Sequence, residues 1–235
     1  MKIAVFSDVH GNYDAFQNAM SIIHSNQVDA IFFLGDVVGY YYESITIIDQ
    51  LMKMKNLSMV LGNHDQMFLE MLESKNEPLI QNYKKKYGSS FSEFVENANL
   101  TQIEFLASIP STNLVELDGV KFMLVHGGPM DPLHQRVYPD TLFDDFQDIK
   151  ADVVFLGHTH YRMNRTIGSK TIINPGSVGQ PRDSKPASFV IYDTQNKEAK
   201  FVDVPFDVDK LKEQIYARTS EPSYLIDVLD RQQKG

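Results

Sequence analysis

Short apolar runs alternate with amphipathic stretches along the first quarter of the chain. The runs Lys2–Phe6, Ala30–Leu34 and Leu57–Leu61 are mostly apolar, which predicts buried strands. Between them, Ala15–His24 and Glu43–Lys55 repeat apolar residues at helical spacing. This alternation of strands and helices is typical of a layered α/β fold.

The rest of the chain changes pattern twice. Residues 66–110 have few β-branched runs and several helix-start signals, so we expect an inserted lid of short helices within a single domain spanning residues 1–235. Asp118-Gly119 then predicts a two-residue hairpin turn. Further predicted strands are Asn113–Leu117, Val120–Val125, Val153–Leu156, Met163–Ile167, Thr171–Ile173, Ala187–Tyr192 and Ala199–Val204. Further predicted helices lie near Leu142–Ile149 and at Asp207–Arg218, and a frayed tail is expected at residues 231–235.

Composition and charge narrow the functional classes. The 235 residues include no cysteine, which excludes disulfides, iron–sulfur clusters, thiolate metal sites and cysteine nucleophiles. The net charge of −9 argues against stable binding to nucleic acid through phosphate contacts, although it allows a small phosphorylated ligand. Neither a signal peptide nor a membrane-spanning run is predicted, so we expect a cytoplasmic protein without a membrane partner.

Polar clusters follow five of the predicted strands. The clusters are Asp8-Val9-His10, Gly35-Asp36, Gly62-Asn63-His64-Asp65, His126 and Gly157-His158-Thr159-His160. Ligands of layered α/β folds bind at the carboxyl ends of strands, so we expect these clusters to converge. Their carboxylate, amide and imidazole groups suit two divalent ions and favour Mn²⁺, Fe²⁺, Zn²⁺ or Mg²⁺ over thiophilic ions. Our expectation is two divalent transition-metal ions, Mn²⁺ first, with Fe²⁺ or Zn²⁺ as alternatives. Two ions about 3.5–4 Å apart can clamp the attacking and leaving oxygens of an in-line displacement.

These clusters resemble, in this order, the calcineurin-like metallophosphoesterase superfamily, whose pattern is D-x-H, G-D, G-N-H-[DE], H and G-H-x-H. The match runs from Asp8 to His160, and the later Asn174–Gly179 resembles the closing turn of the family. The resemblance implies a four-layer αββα sandwich, an α/β fold that some schemes class as α+β, with a two-metal site at its top. The stretch Gly35–Tyr40 looks like small prokaryotic phosphoesterases, a group that includes phosphodiesterases and dinucleoside polyphosphate hydrolases.

The resemblance also distributes ligands between the two ions, with Asp36 as the bridge. It implies that Asp8, His10, Asp36 and His160 bind one ion and that Asp36, Asn63, His126 and His158 bind the other. His64 would then be a catalytic residue that faces the substrate and stabilises or protonates the leaving oxygen. Asp65 has two interpretations: a carboxylate that orients His64, or an ordinary acidic residue in the first turn of a helix.

The sequence departs from the Ser/Thr protein phosphatases of this superfamily. Leu61 stands where they carry an arginine, and Gly39-Tyr40-Tyr41 replaces their aspartate–arginine–glycine. We therefore favour hydrolysis of a phosphoester or phosphoanhydride by a metal-bridging hydroxide, with a small phosphorylated substrate such as a dinucleoside polyphosphate. The alternatives are a Ser/Thr or Tyr phosphoprotein phosphatase and a non-catalytic metal-binding scaffold of the same fold.

Four side chains are candidates for binding the substrate. Tyr40 could stack on a nucleobase, because aromatic faces accept any base. Arg136, Arg162 and Arg182 lie near the predicted rim of the site, and one of them could replace the missing phosphate-clamping arginines by bidentate pairing.

Overall fold

The structure, a computed structural model, describes residues 1–143, 146–183, 186–218 and 223–232. Its strands are β1 (Lys2–Phe6), β2 (Ala30–Phe33), β3 (Leu57–Met59), β4 (Thr112–Leu117), β5 (Val120–Val125), β6 (Val153–Phe155), β7 (Arg162–Ile167), β8 (Lys170–Pro175), β9 (Ala187–Asp193) and β10 (Glu198–Val204). Its helices are α1 (Tyr13–Ser25), α2 (Ser44–Leu51), α3 (Asn63–Ser74), α4 (Glu77–Tyr87), α5 (Ser90–Asn97), α6 (Leu100–Ser108), α7 (Val208–Arg218) and α8 (Ser223–Gln232). The described helices include none long and apolar enough to cross a membrane.

The strands form two mixed sheets of five strands each. The first sheet has the order β10-β9-β1-β2-β3, with β1, β2 and β3 parallel and β9 and β10 antiparallel to their neighbours. The second sheet has the order β4-β5-β6-β8-β7, with β5, β6 and β8 parallel. Helices flank the two sheets, which confirms the predicted α/β sandwich.

The hairpin between β4 and β5 has the predicted turn. Asp118 and Gly119 both have positive φ angles, +53° and +74°, as the central residues of a type I′ turn require. Val120 lies opposite Leu117, so the two strands are joined directly through these two residues.

An aromatic core lies between the two sheets. Phe32 of the first sheet contacts Phe122 and Phe155 of the second sheet, with ring centroids 5.5 and 6.0 Å apart. All three side chains are buried. Because alternate residues of each strand point into this layer, the inner faces of both sheets are apolar.

The inserted helices pack onto the outer side of the first sheet. Phe68 of α3 contacts Phe91 and Phe94 of α5, with centroid distances of 5.0 and 5.4 Å. These rings belong to the same apolar cluster as Phe6 of β1 and Phe33 of β2. This shared core attaches the insertion to the strands that carry the first two polar clusters.

The helix predicted near Leu142–Ile149 is wrong for the described residues. Residues 142–143 and 146–149 contain no α-helix, and residues 144 and 145 lie outside the described part of the chain. Instead, the amides of Phe146 and Ile149 bond to carbonyl groups three residues earlier, which gives tight turns. Phe143 and Phe146 pack with Val154 of β6, so burial of these rings against the second sheet takes precedence over helix formation.

The C-terminal helix α8 was not predicted. Leu225, Val228 and Leu229 are buried and lie at the i, i+3, i+4 spacing of an amphipathic helix, a signal present in the sequence. The helix includes the backbone of residues 231 and 232, so the expected fraying is wrong there, and residues 233–235 lie outside the described residues. Together with α7, it packs against Tyr40 and Tyr41.

Candidate metal centre

All five polar clusters meet at one edge of the sandwich, at the carboxyl ends of strands. Asp8 and His10 follow β1, Asp36 follows β2, Asn63 begins α3 after β3, His126 follows β5, and His158 and His160 follow β6. The expected convergence of residues 8–160 is therefore observed. It follows from the parallel arrangement of β1, β2 and β3 and of β5 and β6.

The turns that carry these side chains have an uncommon backbone conformation. Positive φ angles between +50° and +66° occur at Asp8, His10, Asp36, His158 and His160. Such conformations cost non-glycine residues on the order of 1–3 kcal/mol each and cluster at functional sites. The surrounding hydrogen bonds and packing must therefore hold these turns in place.

One group of donor atoms is formed by Asp8, His10 and His160. Asp8 Oδ1 lies 3.1 Å from His160 Nε2 and 3.8 Å from His10 Nε2. The two Nε2 atoms are 3.2 Å apart. The three side chains are buried, and their donor atoms lie close enough together to hold one metal ion.

Asp36 connects this group to a second group of donors. Its Oδ2 atom lies 3.6 Å from His10 Nε2 and 3.3 Å from His126 Nε2. Asn63 Oδ1 lies 3.0 Å from His126 Nε2 and 2.8 Å from His158 Nδ1. The seven side chains therefore form one continuous cluster of donors, which we call the donor cluster, with Asp36 in its middle.

Hydrogen bonds from the backbone fix the orientation of three imidazoles. The Nδ1 atoms of His10, His126 and His160 lie 3.1, 2.7 and 2.5 Å from the carbonyl oxygens of Val38, Leu34 and Gln180. A carbonyl oxygen only accepts, so each Nδ1 carries a hydrogen and each Nε2 is the nitrogen that faces the other donors and can ligate a metal once it is unprotonated. This arrangement is the usual one for metal-ligating histidines.

The donor cluster has the chemistry of a site for cations. The Nε2 atoms of His10 and His160 lie 3.2 Å apart and both face Asp8 Oδ1, a buried atom that accepts no hydrogen bond within the described residues. Electron-rich atoms placed this close repel one another unless a cation lies between them. Oxygen and imidazole donors without thiolates suit divalent transition metals, so the residues fit the expected ions.

The carboxylates of the donor cluster are held in their charged form. Burial alone raises the pKa of Asp8, but the imidazoles of His160 and His126 outweigh it and bring that pKa well below its usual range. Burial also raises the pKa of Asp36, and His126 again reverses the direction. Ionised carboxylates are the form that binds metals.

Burial lowers the pKa of every imidazole in the donor cluster for which a shift is resolved, but the net shift differs between them. Burial brings the pKa of His10 well below its ordinary value and that of His158 to about 4, so both rings are neutral ligands at pH 7. Burial lowers the pKa of His126 as well, but the charge of Asp36 outweighs this effect and raises it to about 10. A metal ion that binds His126 must therefore displace a proton.

His64 lies beside the donor cluster at the start of α3. Its ring packs edge-on against His10 and Tyr87, with centroids 5.0 and 5.4 Å away. Burial lowers its pKa to about 4. Its backbone amide, rather than its ring, donates to Asp36 Oδ1 at 2.8 Å. The neutral ring therefore lies next to the candidate ligands, and the hydrogen bond to Asp36 does not depend on it.

Comparisons with known proteins agree with this geometry. Residues 1–197 match the model of the calcineurin-like phosphoesterase superfamily domain. The chain belongs to this superfamily. It is therefore a metal-dependent phosphohydrolase, in agreement with the names of its relatives.

Individual relatives extend over nearly the whole phosphoesterase. The uncharacterized protein MJ0912 of Methanocaldococcus jannaschii is 32% identical over 236 residues, which cover 91% of this chain and 91% of that protein. The phosphodiesterase MJ0936 of the same organism is 24% identical, covering 84% of this chain and 96% of that protein. The crystal structure of a metallophosphoesterase from Sphaerobacter thermophilus has a TM-score of 0.78 at 24% identity, covering 99% of this chain and 100% of that chain. This last likeness shows the shared fold.

Asp65 does not orient the His64 ring of the phosphoesterase. Its two carboxylate oxygens accept hydrogen bonds from the backbone amides of Gly62, Asp36, Val37 and Val38. Burial and the charge of Asp36 raise the pKa of Asp65 to about 7, and these amide donors oppose the rise. The structure therefore supports the second interpretation, an acidic residue in the first turn of a helix. Asp65 also accepts hydrogen bonds from the turn after β2.

The structure brings two of the candidate substrate residues together. Arg182 Nη2 donates to the Tyr40 hydroxyl at 2.7 Å and to Gln180 Oε1 at 3.1 Å. The Tyr40 side chain is only 2% exposed, and its ring packs against His10 at a centroid distance of 4.5 Å. A ring this buried cannot stack on a nucleobase, so the structure contradicts the stacking role of Tyr40. Its observed contacts are those of a support for Arg182.

No hydrogen bond or ion pair within the described residues joins the other two arginines to the candidate ligands. Arg162 Nη2 contacts Asp203 Oδ1 at 2.7 Å and the Pro186 carbonyl oxygen at 2.5 Å. Asp203 lies on β10, so this ion pair links strands of the two sheets. Arg136 is exposed, and within the described residues neither guanidinium contacts the donor cluster.

Proposed function

We propose that this phosphoesterase binds two divalent transition-metal ions, Mn²⁺ in the first place, and hydrolyses a phosphodiester or phosphoanhydride bond of a small nucleotide. The proposed ligands are Asp8, His10, Asp36, Asn63, His126, His158 and His160. The observation that carries this proposal is the donor cluster, in which Asp36 Oδ2 lies 3.3 Å from His126 Nε2 and 3.6 Å from His10 Nε2. A carboxylate in the middle of two donor groups is suited to bridging two ions.

The metal ions and the groups around the donor cluster contribute to hydrolysis in different ways. Bound divalent ions supply Lewis acidity and lower the pKa of water, which yields a nucleophile near neutral pH. His64, whose ring lies next to the cluster, stabilises or protonates the leaving oxygen. The carbonyl groups of Val38, Leu34 and Gln180 keep the ligand imidazoles in a fixed orientation.

The proposed substrate class rests on two observations. A relative covering 84% of this chain is named a phosphodiesterase, and Gly39-Tyr40-Tyr41 lacks the arginine typical of protein phosphatases. The finer proposal of a dinucleoside polyphosphate rests on the likeness of Gly35–Tyr40 to small prokaryotic phosphoesterases. It draws no support from Tyr40 stacking, because that ring is buried.

A substrate panel tests this function. After chelation and reloading with Mn²⁺, the full chain would be assayed with an aryl phosphomonoester, an aryl phosphodiester, a phosphopeptide and diadenosine tetraphosphate. We expect kcat/KM for the diester or the dinucleotide to exceed that for the other two by at least about tenfold. A preference for the phosphopeptide would support the protein-phosphatase alternative. Absence of turnover in protein carrying two ions would support the scaffold alternative.

We further propose that Arg182 binds a phosphate oxygen of the substrate. Its side chain is partly buried and feels the charge of Asp8, yet it has no carboxylate within ion-pair distance in the described part of the chain. Its hydrogen-bond partners, Tyr40 and Gln180, are neutral acceptors. A buried cation with only neutral partners favours an incoming anion, and arginine binds phosphate through two parallel hydrogen bonds.

Arg182→Ala is expected to lower kcat/KM roughly ten- to hundredfold, the range for losing a hydrogen bond to a charged group. Arg182→Lys should recover only part of this loss, because lysine keeps the charge but not the fork of donors. Steady-state kinetics with the preferred substrate would measure both, and metal content should stay at the wild-type level. Arg165→Ala removes an exposed arginine on β7 and serves as the control. Unchanged kinetics in Arg182→Ala would contradict the phosphate-binding role.

A further inference from the structure

Two turns beside the donor cluster are joined by a buried carboxylate. Asp65 is 1% exposed. Its Oδ2 atom accepts from the amides of Asp36 at 2.8 Å and Gly62 at 3.0 Å, and its Oδ1 atom accepts from those of Val37 and Val38, each at 3.0 Å. Three of these amides lie in the turn after β2, and the fourth lies in the turn after β3. Asp65 therefore ties together the ends of two neighbouring parallel strands.

Asp36 makes the reciprocal contact. Its Oδ1 atom accepts from the amide of His64 in the first turn of α3, at 2.8 Å. Its Oδ2 atom is left to face the Nε2 atoms of His126 and His10. The two oxygens thus have separate tasks, since one binds the helix terminus and the other belongs to the donor cluster.

This division depends on a strained backbone at Asp36. The residue has a φ of +62°, in the left-handed region that non-glycine residues rarely adopt. Gly62 passes so close to Asp36 that a Cβ atom at Gly62 would clash with the Asp36 amide and carboxylate. This conformation costs a non-glycine residue free energy, and hydrogen bonds from the backbone amides of residues 36–38 to Asp65 help to stabilise it.

We propose that Asp65 is a positioning residue of the phosphoesterase, which holds Asp36 in the conformation that directs Oδ2 to both metal ions. This inference rests on the proposed metal-binding function of Asp36. Asp65 contacts neither the imidazoles nor the proposed substrate residues in the hydrogen bonds described, so its effect is transmitted through the backbone of residues 36–38.

A carboxylate is the group that satisfies this arrangement. Four N–H donors point at the two oxygens of Asp65, and an amide offers only one accepting oxygen. In Asp65→Asn the –NH₂ group would face two amide donors, which leaves them buried without an acceptor and pushes the turn away. Asp65→Glu keeps both accepting oxygens, although it lengthens the side chain by one methylene.

The test measures metal binding as well as activity. Metal-free full chain and its variants would be titrated with Mn²⁺ by calorimetry, and the spin coupling between bound Mn²⁺ ions would be recorded by electron paramagnetic resonance. We expect wild type to bind two coupled ions. Asp65→Asn should bind them roughly 10–100-fold more weakly, the range for partners outside the ligand set, with altered coupling and a lower kcat at saturating metal. Asp65→Glu should keep the coupled signal and bind more tightly than Asp65→Asn.

Asp193→Asn is the matched control, because the Asp193 carboxylate also holds a turn by accepting from a backbone amide, that of Gln195 at 2.9 Å. It should bind Mn²⁺ as wild type does. Wild-type affinity and coupling in Asp65→Asn would overturn the proposal, as would loss of the coupled signal in folded Asp65→Glu. If Asp65→Asn does not fold, Asp65→Glu alone decides.

These readouts separate this proposal from the proposed function. A wild-type chain that binds two coupled ions but hydrolyses no substrate of the panel would refute the proposed substrate class and leave the positioning role measurable. A wild-type chain that binds no pair of ions would overturn the positioning role itself.

Discussion

Asp36→Ala is expected to lose bound metal at both sites and to show no detectable hydrolysis. Asp36 Oδ2 is the atom that lies within 3.6 Å of both His10 Nε2 and His126 Nε2, so its removal leaves each group of donors without its shared oxygen. The loss also removes a negative charge that faces several buried imidazoles. Metal analysis of the purified variant after Mn²⁺ reloading, together with turnover of the preferred substrate, measures both effects.

Two further variants make this result specific. Asp36→Asn keeps an acceptor for the His64 amide and therefore preserves the start of α3, yet it should still bind metal poorly, since an amide lacks the charge. Asp209→Ala removes an exposed carboxylate of α7 and should keep both metal and activity. Full metal content in Asp36→Ala would show that Asp36 does not bridge the ions.

The sequence predicts the donor cluster because each ligand lies immediately after an apolar run. Once Lys2–Phe6 and Ala30–Leu34 are recognised as neighbouring parallel strands, Asp8 and Asp36 must emerge at the same edge. The helix starting at Asn63 and the strand ending before His158 extend this reasoning to the rest of the site. The apolar runs therefore predict where the strands end, and the spacing after each run predicts which side chains lie at that edge.

Contacts between distant segments could not be predicted in this way. Arg182 and Tyr40 are separated by 142 positions, and neither lies in a spaced motif that specifies the other. The burial of Tyr40 depends on Tyr87 of α4 and Tyr224 of α8, whose rings lie 4.9 and 6.3 Å from it. Without α8 in the prediction, a tyrosine next to the metal site looks accessible to a base.

Asp65 illustrates the same limit at short range. Its position three residues after Gly62 signals a helix N-terminus, which the hydrogen bond to the Gly62 amide fulfils. The three further bonds go to Asp36, Val37 and Val38, in another loop, and depend on how β2 and β3 lie side by side. Local spacing identifies the helical contact, whereas tertiary packing decides the other three.

His64→Ala is expected to keep both metal ions but to slow hydrolysis roughly 10²–10⁴-fold, the range for a group that moves a proton in the transition state. Metal binding should survive because the contact of His64 with Asp36 is made by its backbone amide, which alanine retains. The loss of rate should be larger for a poor leaving group than for a nitrophenolate, which departs without a proton. A series of aryl phosphodiesters of increasing leaving-group pKa, assayed at saturating Mn²⁺, measures this dependence.

Because the His64 ring is buried against Tyr40 and Tyr87, control variants must distinguish a role of His64 in the reaction from a role in packing. His64→Gln fills more of the space than alanine and cannot act as an acid, so it should show the same dependence on the leaving group. His24→Ala, which removes an exposed imidazole on α1, should behave as wild type. An equal loss of rate across the whole series would assign His64 to the architecture of the site, and unchanged turnover would remove it from the mechanism.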